Sequence, residues 1–152
     1  MSTGATQRAP LLRGLVTGVL VWTALTTLAI AEPLAQYAWE ARPVVVFAKD
    51  AGDRDLGRQL AELAAYPAER VSRQMPVIAV IGARVSVDGV PSKIDATALR
   101  RHYGVSQAAF AVLLIGKDTG VKLRRETSVS AATLFALIDT MPMRQRERDE
   151  EP

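Results

Sequence analysis

With 152 residues, 49% of them hydrophobic, the chain has room for one domain of ordinary size; it has no cysteine, which excludes disulfides and thiol chemistry alike. The formal net charge of +3 falls to +1 once the two arginines of residues 1–31 are set aside, because the rest holds 17 basic and 16 acidic side chains. So even a balance offers no basic stripe for phosphates, which argues against nucleic acid as a partner, and it implies no acidic substrate either.

Arg8 and Arg13 form a basic start, residues 14–30 are free of charge, and Ala29-Ile30-Ala31 is a small-x-small cleavage site. Together they read as a signal peptide over residues 1–31, with cleavage leaving a chain that begins Glu32-Pro33. The alternative is an uncleaved anchor, since the apolar run approaches the roughly 20 residues that span a bilayer. Thr17, Thr23, Thr26 and Thr27 weaken the run and support the signal reading. On either reading the domain is exported, to the periplasm or the cell surface. Membrane contact is then confined to residues 14–31, and only if they stay attached.

Residues 32–42 form a lead-in whose rings, Tyr37 and Trp39, are expected to pack on the domain. Val44-Val45-Val46-Phe47 is an unbroken, β-branched apolar run, the pattern of a strand covered on both faces. Asp50, Gly52 and Asp53 mark a turn, and Leu56, Leu60, Leu63 and Ala64 recur at helical spacing. Asp53 or Asp55 caps that helix, and Pro67 ends it. Residues 76–81 repeat the buried-strand pattern, so strand, helix and strand imply a right-handed parallel unit.

Residues 84–94, with Asp88-Gly89 and Pro91, read as a loop or a small hairpin. A short helix follows from Asp95 through Leu99 and Tyr103, with Gly104 where a left-handed cap belongs. Residues 110–115 make a third buried strand, and residues 116–120 a glycine-bounded turn. In the next strand Val121 and Leu123 share one face, while Lys122 and Arg124 share the wet one and discourage edge pairing. Ser128 or Ser130 caps a last helix with Leu134, Leu137, Ile138 and Met141 as its stripe, and Pro142 stops it. Residues 144–152 alternate in charge without apolar content and read as a disordered tail. The expected domain, residues 43–143, is α/β, in the order β-α-β-α-β-β-α, with a central four-stranded mixed sheet.

That order is similar to the thioredoxin fold, and His102-Tyr103-Gly104-Val105 with the strand, turn and strand after it resembles the second half of a thioredoxin. Thioredoxin-like enzymes place a reactive cysteine just after the first strand, where this chain has Ala48-Lys49-Asp50-Ala51-Gly52. They place a cis-proline before the third strand, where it has Gln107-Ala108-Ala109. The likeness therefore implies a thioredoxin-like fold without its redox site. A closer resemblance lies in three stretches: residues 42–48, residues 113–124 with their Gly116-Lys117-Asp118 turn, and residues 138–144 with Met141-Pro142-Met143-Arg144. These resemble the domain of unknown function numbered 4174, a family of exported bacterial proteins with extracellular-matrix relatives in animals. The resemblance covers residues 39–147, and Thr119 stands where a glycine is expected. It implies a thioredoxin-like fold and an exported location, and no established activity.

His102 is the sole histidine and has no nucleophile pattern to serve, so a surface role suits it. Asp50, Asp53 and Asp55 lack the spacing of a calcium loop, and turn and capping duties account for them. Met141 and Met143 offer two soft ligands for Cu(I), with Met75 or His102 as a third, or else they fill the core. Lys117 and Asp118 form the leading polar pair. They join Arg124, Asp139 and Arg144, with Asp50 as a further candidate, in a cluster that binds a partner or an anionic ligand, or pair among themselves structurally. The sequence thus points to an exported non-redox thioredoxin-like binding or interaction module, without catalytic residues or cofactor, engaging an unknown protein or a small anionic ligand at the envelope. The alternatives are a peroxiredoxin-like oxidoreductase relative, disfavoured without a thiolate, and a periplasmic copper-binding protein using its methionines.

Overall fold

The structure, a computed structural model, describes Met1 and residues 32–150. The expected signal peptide or anchor of residues 1–31, with its cleavage site, lies outside the described residues apart from Met1. Among the described residues no helix is long and apolar enough to cross a membrane. The described fold belongs to one unit, Ala31–Pro152.

Six strands form one mixed sheet: β1 (Val44–Ala48), β2 (Val77–Ile81), β3 (Arg84–Val87), β4 (Val90–Ser92), β5 (Ala111–Ile115) and β6 (Val121–Arg125), in the order β4-β3-β2-β1-β5-β6. β1 pairs in parallel with β2, and every other pairing is antiparallel. The expected four strands form the continuous block β2-β1-β5-β6. The sheet is larger than expected because residues 84–92 make a complete hairpin around Asp88-Gly89. Both turn residues sit at positive φ, 47° and 82°, as a tight hairpin of this twist requires.

Central strands have no solvated face. β1 and β5 are buried at every position, and their side chains divide between two cores. Val44, Val46 and Ala48 face α1 (Arg54–Ala64) and α4 (Ala131–Asp139), while Val45 and Phe47 face α3 (Ala96–Tyr103) and Leu34 of the lead-in. At roughly 1.5–3 kcal/mol for each buried Val, Leu, Ile or Phe, this two-sided burial drives the fold without disulfides. Gln59 ties α1 to the segment before α4, donating to Val129 O at 3.0 Å and accepting from Val129 N at 2.6 Å.

The local stop and start signals work as spaced. Asp53, Asp95 and Ser130 each accept backbone N–H groups at a helix start, and Gly104 closes α3 at φ 62°. Several expectations need correction. Pro67 opens a second short helix, α2 (Pro67–Ser72). α4 ends at Asp139, and Pro142 begins α5 (Pro142–Glu150), because proline suits a first turn whose N–H groups lack partners anyway. The charged tail from residue 144 is therefore helical through Glu150, not disordered. Met141 lies between the two helices and packs on the first core from there. In the lead-in Tyr37 packs on the second core, but Trp39 is 65% exposed, and its backbone N–H is anchored to Lys117 O at 2.7 Å.

Candidate functional site

The chemistry concentrates at the amino end of β1, where the lead-in, the β5–β6 turn and the α4–α5 junction meet. Arg42 enters just before β1 and is 1% exposed, although it is charged. Its guanidinium grips Glu147 of α5 with both terminal nitrogens, Nη1 to Oε2 at 3.1 Å and Nη2 to Oε1 at 2.9 Å, and Nη1 also donates to Arg73 O at 3.2 Å. Lys117, 8% exposed in the β5–β6 turn, places Nζ 2.7 Å from Glu147 Oε1. Arg144 is buried beside them, its Nη1 3.7 Å from Glu147 Oε2 and its Nε 3.8 Å from Asp139 Oδ1. Asp139 in turn holds Arg73 in a second fork, at 2.9 and 2.7 Å, while the Arg73 guanidinium lies 4.7 Å over the Phe135 ring.

Four cations, Arg42, Arg73, Lys117 and Arg144, thus surround two carboxylates. Burial alone would raise the pKa of Glu147. The hydrogen bonds from Arg42 and Lys117, with their charges, outweigh that and carry it from 4.5 down to about 2. Glu147 is ionised at every physiological pH.

Beside this cluster opens a pocket of about 310 Å³. Arg42, Lys117 and Lys122 line it with Asp118 and Thr140, and Met141, Pro142 and Met143 form its apolar wall. Asp118 folds across the turn to Lys122 Nζ at 2.6 Å and accepts from Gly120 N at 3.2 Å; the Lys122 hydrogen bond foremost holds its carboxyl below the usual range. Gly116 makes that fold possible, since a Cβ there would collide with the Lys122 and Asp118 side chains.

The backbone around this site is strained. Trp39 (φ 66°), which donates to Lys117 O, Gln74 (φ 51°), whose carbonyl accepts Arg42 N–H at 2.8 Å, and Thr119 (φ 64°) in the turn all sit in the left-handed region without being glycine. A β-branched residue there is an outlier costing about 1–2 kcal/mol. The glycine expected at Thr119 is what that conformation would favour.

Of the candidate residues, Lys117, Asp139 and Arg144 come together and Asp118 lies at the pocket rim. Arg124 does not join them: it caps α3, donating to Tyr103 O at 2.6 Å and Gly104 O at 3.1 Å. Asp50 does not either. It follows the carboxyl end of β1, a five-residue strand about 16 Å long, and accepts Gly52 N–H at 2.9 Å. There it borders a larger cleft of about 750 Å³ with Lys49, Arg84 and Lys93, none of them buried. Met141 and Met143 share the cationic pocket, whose charge repels a copper ion; Met75 is sealed in the first core, and His102 lies 3.3 Å from Glu32. Asp53 caps α1 and Asp55 reaches Arg58 at 3.4 Å, and no acidic or histidine cluster among the described residues could hold a metal.

Sequence reasoning missed Arg42, Arg73 and Glu147. Arg42 had a signal, a charged residue directly before a fully buried strand. Glu147 had none, since its neighbours are all polar.

The family model described as Domain of unknown function (DUF4174) matches residues 33–147, which takes in every residue of the cluster. No solved structure matches the chain.

Proposed function

The chain belongs to the DUF4174 family, and on that premise we propose that it is an exported, non-redox binding module of thioredoxin-like fold whose site is the cationic pocket beside Arg42 and Lys117. The observation that carries this reading is the set of cations lining the pocket, Arg42, Lys117 and Lys122, of which the buried Arg42 and Lys117 share the one carboxylate of Glu147. Taking an ammonium or guanidinium out of water costs several kcal/mol unless it is compensated, and the compensation here is incomplete. An anion entering the pocket supplies it. Three strained residues at one end of the sheet point the same way, because such strain survives where the surrounding structure enforces it for a purpose.

The fold reading rests on the block β2-β1-β5-β6, with its parallel β1–β2 pair and its antiparallel β5–β6 hairpin. Export rests on Arg8, Arg13 and the uncharged run to Ala31. The absence of cysteine leaves this fold without thiol catalysis. The ligand is then a small anion or the acidic group of an envelope protein.

Titrating the full-length protein with sulfate, phosphate and simple carboxylates, followed by NMR, tests the site. Saturable, salt-sensitive shifts are expected at Arg42, Lys117 and Thr140, and they should vanish in Lys117→Met. A screen in which no anion moves those signals would sink the reading. The mass of protein recovered from the envelope checks cleavage after Ala31.

A further inference from the structure

We infer that the pocket takes a small monocarboxylate carrying an apolar body. This rests on the anion-binding reading and narrows it to one class of ligand.

Charge sets the valence. The pocket is lined by three cations, Arg42, Lys117 and Lys122. Two carboxylates are already bonded to them, Glu147 to Arg42 and Lys117, and Asp118 to Lys122. Among the side chains that line the pocket one positive charge remains, which suits a monoanion. Donors remain as well. An ammonium has three N–H groups, and the ion pairs use one on Lys117 and one on Lys122. Lys117 and Lys122 can therefore hold the two oxygens of an incoming carboxylate while Glu147 keeps Arg42 and Lys117 in place from behind. Glu147 is a positioning residue in this arrangement.

The wall sets the body. Met141, Pro142 and Met143 supply the apolar part of the lining, and methionine adapts its shape to an alkyl or aryl chain. The volume, about 310 Å³, lies at the low end of small-molecule sites, which run from about 300 to 1,000 Å³. A short chain fits and a cofactor does not.

A homologous series reads this directly. Full-length protein titrated with acetate, butanoate and hexanoate should bind about fourfold tighter for each added methylene until the pocket is filled. Hexanol and hexylamine should bind far more weakly than hexanoate, and inorganic phosphate no better than acetate. Lys122→Gln, at a partly exposed position where the fold is not at stake, should weaken hexanoate about tenfold. Acetate, hexanoate and phosphate binding with equal affinity would overturn the ligand class and leave the anion site standing. Hexanol matching hexanoate, or no ligand binding at all, would overturn both.

Discussion

Arg42 and Arg100 are buried arginines at opposite ends of β1, 1% and 4% exposed, and each donates three hydrogen bonds. Their acceptors differ. Arg42 spends two bonds on a carboxylate that comes from a solvated helix. Arg100 spends all three on backbone carbonyls, Ala48 O at 2.7 Å, Val80 O at 3.4 Å and Ser106 O at 2.7 Å, and lies 5.4 Å over the Phe47 ring. With no carboxylate beside it, burial pushes the Arg100 pKa below its ordinary value. The left-handed backbone near Arg100 belongs to glycines, Gly82 and Gly104, whereas near Arg42 it belongs to Trp39, Gln74 and Thr119. Arg100 fastens the carboxyl ends of β1 and β2. Arg42 organises a pocket. Burial of a charge is common to both, and they differ in the acceptor and in the open space beside Arg42.

The largest effect should come from Arg100→Met, which keeps the stem and removes a buried donor from three carbonyls, leaving Ala48 O with Gly82 N–H and Ser106 O with Ala109 N–H as their remaining partners. It should cost about 3 kcal/mol in urea unfolding while leaving anion binding in the other pocket intact. Lost binding with unchanged stability would reverse the assignment of the two arginines.

Acid should separate them next. The folded Glu147 titrates at about 2 against 4.5 unfolded, so its contribution is fully present above pH 4.5 and is lost as pH falls towards 2. After allowance for solvent screening that is about 2 kcal/mol. Glu147→Gln should remove the difference between pH 5 and pH 2, leaving a flatter profile than the parent in the same denaturation series. Parallel profiles for the two proteins would mean that the carboxylate does not hold Arg42 and Lys117.

The smallest effect concerns strain. Thr119→Gly relieves the left-handed threonine and should raise stability by about 1 kcal/mol without weakening anion binding by Lys117. A loss of stability would show that the threonine side chain contributes more than its backbone costs.

Much of the frame was legible because its causes are local. Val44-Val45-Val46-Phe47 could only be a strand buried on both faces, since an unbroken β-branched run tolerates no wet side. Asp95 and Gly104 were readable at their helix ends, and Asp53 and Ser130 as one of two candidates each, because a cap is made within three residues of itself. Asp118 was readable as a turn residue for the same reason. The extra hairpin of residues 84–92 was half-legible: its Asp88-Gly89 signal was clear, but whether it joined the sheet depended on an edge at β2 that no local pattern shows.

The candidate site was legible only in its turn. Lys117 and Asp118 announced themselves, but Arg124 was assigned by strand alternation to a wet face and in the fold reaches back to α3. Arg42 and Glu147 are 105 positions apart, and Arg73 and Asp139 are 66 apart. Nothing in a proline-led segment such as residues 142–150, polar after Met143, marks it as ordered, because a helix without an apolar stripe has no apolar face to dock. Its order comes from Arg144 buried at one end and Glu147 held by two cations. By itself the sequence determined the caps, the buried strands and the absence of any thiol, all consequences of residue type and short spacing. Only the tertiary structure decided where the charges meet, because an ion pair is recognised by distance in space and leaves no period in the chain.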